Sequence, residues 1–341
     1  LSNIFIMSKK WSEKNFAVMA QNWDAGQETF SATNAMGTGP FKITLREPNT
    51  KTVFKRNKKW WGTMKDDKVT EIHLLPIKNA ATRVAALLSG EIDVVTDAPV
   101  QDLARIKNSP AHKVESTAQM RTIFLGMDQG ADKLRTGNTG DNPFKKKAVR
   151  QALYQAIDIE AIKKKVMRGL SEPAGIITFP GVNGYTEELD KRLPYDVAAA
   201  KKLLADAGYP NGFEVELRCP NDRYVNDEAI CTAVVGMLGK IGVKVNLFAQ
   251  TKSKHFKELK DNQGDFYMLG WGVPTLDSHY VFHYLYESGA SWNRVNFSNS
   301  DVDAAIRVME GEVNLDKRNA AIAKAWKIVK DDISYLPLHH Q

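Results

Sequence analysis

The feature that most constrains this chain is the alternation of helical and extended segments between residues 195 and 272. YDVAAAKKLLADAG (195 to 208) carries a helical period and is closed by Gly208 and Pro210. FEVELRC (213 to 219) follows as a strand, then a helix over 226 to 241 ending in Gly242, a strand VKVNLFA (243 to 249), a helix over 253 to 262 and a strand DFYMLGWG (265 to 272). Strands separated by helices cannot pair through tight hairpins. The helices must cross a sheet face and return, so the segment predicts an α/β domain with helices covering a sheet.

Upstream, FKITLREPNTKTVFKR (41 to 56) alternates apolar and polar residues on both sides of a Pro-Asn turn, the pattern of a half-buried hairpin. Residues 69 to 75 read as a strand, 79 to 89 as an amphipathic helix capped by Asn79, and 91 to 95 as another strand, which together imply a parallel pair. Strand-like RTIFLGMD (121 to 128) leads into a polar, glycine-bearing loop, the best internal boundary. A helix over 144 to 168 follows, with Val149, Leu153 and Ile157 on one face. Helix 316 to 330 runs into SYLPLHHQ, an extended apolar segment similar in character to RTIFLGMD. If both segments cross between lobes, residues 129 to 334 form one lobe hung on two strands from another.

Composition excludes several classes. With 43% hydrophobic and 26% charged residues over 341 positions the chain is neither disordered nor fibrous, and it is long enough for two lobes. No apolar run approaches the roughly 20 residues a spanning helix needs. The net charge of +7 comes from 47 basic residues scattered among 40 acids, with no basic block, so nucleic acid is not an expected partner. LSNIFIMSKKW, at the start, lacks the signature of a secretion signal. Cys219 and Cys231 are too few for a disulfide scaffold and lack zinc-site spacing, which leaves one bridge or two buried thiols.

Eight motifs in order carry a resemblance: GTGPFKI (37 to 43), RNKKWWG (56 to 62), LLSGEIDVV (87 to 95), KKAVRQALYQAID (146 to 158), YDVAAAKKLLADAGYPNGF (195 to 213), LGKIGVKV (238 to 245), GDFYMLGWG (264 to 272) and NSDVDAAI (299 to 306). The chain resembles the family 5 extracellular solute-binding proteins, which serve ABC importers of peptides, nickel and oligosaccharides. The resemblance implies a periplasmic-binding-protein-like α/β fold, two lobes with mixed sheets joined by two crossing strands. Residues 1 to 128 would form part of lobe I, 129 to 334 lobe II, and 335 to 341 a return strand toward lobe I. Family members are longer, so the chain is expected to be a fragment lacking an N-terminal portion and a C-terminal return. An exported protein would oxidise Cys219 and Cys231 if the helix carrying one packs back beside the strand ending in the other.

Several residues have architectural readings instead. The glycines and Pro40 of GTGPF suit a strand start. Arg150, beside Lys145 to Lys147, suits a solvated face or an ion pair within the lobe. Trp60 and Trp61 suit a sheet edge, with only one of the pair able to point inward.

Ligand contacts are expected from GWGVPTLDSHYVFHYLY (270 to 286), which leaves a strand end through Gly and Pro and then carries aromatics and an acid. Trp271 and Tyr280 offer aromatic surface. Asp277 is either an amine partner or a helix cap. In the peptide binders of the family an acid stands three residues after this Trp; here that position is Pro274, and Asp277 matches the second acid of the same loop. An Arg before the helix matching 226 to 241 holds the ligand carboxylate in dipeptide binders, which points to Arg223, with Arg218 and Arg294 as alternatives. His279 and His283, four apart, permit a metal but read more simply as pocket lining or a surface pair, and no metal or cofactor is expected. Of His339 and His340, at most one should face the cleft.

The chain lacks GxSxG, HExxH, Walker and GxGxxG motifs, and a hydrolase acting between the lobes is the weaker alternative. The expectation is therefore a non-enzymatic, monomeric, periplasmic or extracellular protein. It would trap a peptide or similar solute, or alternatively a metal chelate or oligosaccharide, by hinge closure at 121 to 128 and 335 to 340, and present the closed form to an ABC permease.

Overall fold

The computed structural model describes residues 7 to 19, 29 to 64 and 69 to 341. Its contacts divide the chain into two units, Leu1–Ala85 and Ala86–Gln341, so residues 86 to 128 group with those that follow. The first unit holds α1 (Lys9–Lys14) and a three-stranded antiparallel sheet of β1 (Phe41–Glu47), β2 (Lys51–Arg56) and β3 (Glu71–Leu74). The expected hairpin is β1 and β2; Asn49 takes φ 62° at its turn, a left-handed conformation that Asn tolerates. Trp60 is half-buried and Trp61 is exposed.

Helix α2 (Ala80–Ser89) begins where expected, with Asn79 Oδ1 accepting from the Thr82 amide at 2.9 Å. The strand expected at 91 to 95 does not form. The Glu91 and Ile92 amides turn back to the Ala86 carbonyl and close the helix end, so β3 pairs only with β2 and no parallel pair arises.

The second unit takes in the last turn of α2, a short helix α3 (Leu103–Lys107) and a six-stranded mixed sheet. In chain order it is built from β4 (Arg121–Met127), α4 (Lys147–Ala156), α5 (Ile159–Ala161), β5 (Glu172–Pro173), α6 (Val197–Asp206), β6 (Glu214–Pro220), α7 (Asp227–Gly239), β7 (Lys244–Gln250), α8 (Lys252–Lys260), β8 (Phe266–Gly272), α9 (His279–Val281), α10 (Ser300–Gly311), α11 (Leu315–Asp332) and β9 (Tyr335–His340). The spatial order is β5-β9-β4-β8-β6-β7. Strand β6 is parallel to β7 and β8, as the helix–strand alternation requires, while β4 is antiparallel to both β8 and β9. The two segments read as crossing strands, β4 and β9, therefore lie side by side.

Alternation along β4 sends Ile123, Leu125 and Met127 to one face and Phe124 to the other. The first face packs under α4, α6 and α7; the second packs under the turns after β8 and under α10 and α11, around Trp326 and Phe282. The helix expected over 144 to 168 is broken at Ile157 and Asp158: Ile157 is extended, and the Asp158 carboxylate accepts from the Ala161 amide, which starts a new helix. Arg150 is an internal tie, as the ion-pair reading expected. Its guanidinium is 3% exposed and reaches the Asp332 and Ile333 carbonyls and the Asp332 carboxylate at the end of α11. The polar loop after β4 is also tied down: Arg135 Nη1 bridges buried Asp128 and Asp265 at 2.7 Å each.

Candidate functional site

Parallel strands end on the same side, so the C-terminal ends of β6 and β8 share one edge of the sheet, and antiparallel β4 starts there with Arg121 opposite Gly272. Three residues past β6, the loop to α7 presents Arg223 and Tyr224. Its shape is set by Asp227, whose Oδ2 accepts the amides of both residues at 2.9 Å. Tyr224 leans over β8 and its hydroxyl accepts from the Gly270 amide at 2.9 Å. Only glycine permits that approach, since a Cβ on Gly270 would stand 2.7 Å from the Tyr224 ring and 2.7 Å from Ile123.

Two guanidiniums flank the tyrosine, Arg121 at 5.5 Å and Arg223 at 5.1 Å from the ring centroid. Arg121 Nη1 donates to the side-chain oxygens of Gln119 and Gln341. Burial and then the neighbouring Arg223 charge lower its basicity, with Tyr224 and then Asp97 partly offsetting them. No carboxylate pairs with Arg223 among the described residues. The edge thus concentrates positive charge beside an aromatic ring.

On the opposite face of the same edge, Trp271 stands across from Thr122. Its ring lies 6.0 Å from Tyr280, 5.7 Å from Tyr284 and 6.0 Å from Trp292, and its indole N–H meets no acceptor among the described residues. Trp271, Tyr280, Tyr284 and Trp292 together form an aromatic wall.

The other expected site residues are placed elsewhere or are engaged. The Asp277 carboxylate takes both Arg318 Nη1 and Nη2, at 2.7 and 2.8 Å, together with Asn183 Nδ2 and the His279 amide. It is a cap and an ion-pair partner, and Arg318 from α11 occupies the place an amine would take. Arg218, from the middle of β6, is spent on Glu216 and Glu258 over the Phe248 ring. Arg294 donates to Asn262 ahead of β8, at the other end of the sheet from Trp271. His339 and His340 are both buried; His340 bonds Thr122 and Asp190, whereas neither His339 nitrogen has a partner. His279 and His283 meet beside Glu310. Sequence reading missed Arg121, Tyr224 and Arg318. The signal for Arg121 was a charge opening an otherwise apolar strand.

Burial opposes ionisation of Asp277, but hydrogen bonds from Arg318, Asn183 and the His279 amide outweigh it and hold the group down to about 2, from 3.8. A folded value below the unfolded one contributes stability above about pH 4 that is lost as pH falls toward 2, about 2 kcal/mol in all. The stability gap between the wild type and Asp277→Asn, measured by urea unfolding, is expected to narrow by about that amount from pH 5 to pH 2. A constant gap would contradict this account.

Residues 3 to 293 match the family described as bacterial extracellular solute-binding proteins, family 5 middle. The chain belongs to that family. Heme-binding protein A of Haemophilus influenzae is 28% identical over 325 residues, covering 93% of this chain and 56% of that protein. The dipeptide-binding protein of Escherichia coli K12 is 26% identical over 268 residues, 78% of this chain and 48% of that protein. The fold matches the periplasmic binding protein DppA of Helicobacter pylori in complex with the peptide STSA, with a TM-score of 0.82 and 22% identity over 98% of this chain and 62% of that one. The chain thus spans about half the length of the curated relatives it matches. No helix among the described residues is long and apolar enough to cross a membrane.

Proposed function

We propose that this chain belongs to a solute-binding component of an ABC importer, working as a monomer outside the cytoplasmic membrane and handing its cargo to the permease. The solute is a peptide or similar small molecule with an anionic end. The observation that carries this reading is the Arg121–Tyr224–Arg223 arrangement: two like charges gathered at a sheet edge, one of them without a carboxylate partner among the described residues. Like charges held together favour an anion, and each charge-assisted hydrogen bond contributes roughly 1.5 to 3 kcal/mol. The Trp271 wall supplies apolar contact on the other face of the edge. Residues 129 to 334 act as one lobe, and β4 and β9 form the hinge about which it closes. The names of the relatives support a binder rather than a catalyst.

Asp277 is left out of the recognition set because Arg318 already neutralises it. Calorimetry with one short peptide, free and C-terminally amidated, tests the reading. Amidation and Arg223→Gln are each expected to weaken binding about tenfold or more, and the two losses should not add. Trp271→Ala is expected to weaken binding of both peptide forms and to remove the ligand-induced change in tryptophan emission. Equal affinity for free and amidated peptide would refute the arginine assignment; an unaltered affinity in Trp271→Ala would remove the wall from the site.

A further inference from the structure

The helical turn after Asp277 gathers a cluster outside the recognition set proposed above. His279 and His283 lie one turn apart with their rings 5.7 Å apart and inclined by only 24°. Glu310, near the end of α10, faces both: its Oε1 is 3.4 Å from His279 Nε2 and 3.8 Å from His283 Nδ1. One donor atom from each of the three residues lies within 4.8 Å of the other two. His283 Nδ1 is closed off from solvent and no hydrogen bond reaches it, although Glu287 Oε2 stands 2.9 Å away out of alignment. All three side chains keep some exposure, so an ion has a way in.

We propose that His279, His283 and Glu310 form a binding site for a divalent first-row transition cation of the zinc type. Two imidazoles and one carboxylate are a donor set suited to zinc with one coordination position left open; calcium and magnesium prefer sites made wholly of oxygen. Distance agrees with chemistry. Metal–ligand bonds of about 2.0 to 2.2 Å at tetrahedral angles put donor atoms roughly 3.3 to 3.6 Å apart, close to the separations of 3.4 and 3.8 Å seen around Glu310. The cation would tie the turn bearing His279 and His283 to α10. Tyr280 and Tyr284 project from that same turn into the Trp271 wall, so the ion would brace the element that presents the wall. The site does not rest on the solute reading, because the cation binds whether or not a peptide does.

The test is titration of chelator-treated protein with Zn2+ in a competing metal buffer, followed by calorimetry and by melting temperature. One equivalent is expected to bind and to raise the melting temperature. His283→Ala and Glu310→Gln should each lower the affinity at least as much as the roughly 10- to 100-fold known for outer-sphere partners, while His73→Ala, in the first unit, should leave it unchanged. Glu310→Gln keeps the shape of a partly exposed side chain, so its result does not depend on a folding defect. Co2+ should give the visible absorption of a tetrahedral site in the wild type and not in His283→Ala. Absence of saturable Zn2+ binding, or unchanged affinity in both His283→Ala and Glu310→Gln, overturns the proposal.

Discussion

Lowering the pH from 7 to 5 is expected to remove about 4 kcal/mol of folding stability, and two buried histidines account for it. His255, on α8, is fully buried with Nε2 bonded to the Met268 carbonyl at 2.9 Å, so that nitrogen donates. Burial lowers it from 6.5 to about 4; the Met268 carbonyl and Glu258 oppose the fall, and Arg218 adds to it. His339, on β9, is 1% exposed and neither ring nitrogen has a partner. Burial pushes it down to about 3, and the charges of His340 and Arg192 act in the same direction.

An unfolded chain takes up a proton at each site near pH 6.5, while the folded chain refuses it until about pH 4 and pH 3. Both groups therefore leave stability intact above pH 6.5 and withdraw it as pH falls below that value. At pH 5 each contributes about 2 kcal/mol of loss. Urea unfolding at the two pH values measures the sum. His339→Leu removes a proton site and two unsatisfied nitrogens together, so it should keep or raise stability at pH 7 and halve the acid loss. An acid loss in His339→Leu equal to that of the wild type would show that the ring already takes its proton in the fold.

The parts of this fold that were legible in the sequence are those where local pattern and tertiary packing agree. From residue 195 to 272, period, glycine stops and strand runs all pointed to one parallel arrangement, and β6, β7 and β8 realise it. Residues 91 to 95 misled because β-branched Ile92, Val94 and Val95 have strand propensity without a strand partner; the backbone there closes α2 instead. Residues 144 to 168 misled because helical periodicity survives a two-residue break, and the Asp158 cap that restarts the helix is a polar residue of no special spacing. Near the candidate site, the position of Trp271 at the sheet edge was legible from its strand end, while Arg223 was singled out through the resemblance to dipeptide binders. Asp277 could not, since its partner Arg318 lies 41 residues along the chain and nothing local to either marks the pair. Arg121 joins Arg223 only through the antiparallel pairing of β4 with β8, a register that sequence does not announce.

Loss of the Cys219–Cys231 bridge is expected to cost about 3 kcal/mol and to weaken solute binding as well. The two residues are bonded, with a sequence separation of 12, and both are fully buried beside Met268. In the chain-entropy account a loop of about 15 residues is worth about 3 kcal/mol, and this slightly shorter one is close to that. The enclosed segment includes the connection that carries Arg223 and Tyr224, with Asp227 holding their amides from the first turn of α7. Opening the bridge frees the unfolded chain and also relaxes the anchor that sets the tyrosine between two arginines. Paired alanine substitutions at 219 and 231, compared with the wild type by urea unfolding, should lower the midpoint and raise the slope, because the freed denatured chain exposes more surface. Affinity for the free peptide should fall while affinity for the amidated peptide changes less, because the loss falls on the arginine that reads the carboxylate. Equal losses for both peptides would place the effect on the fold as a whole and detach the bridge from recognition.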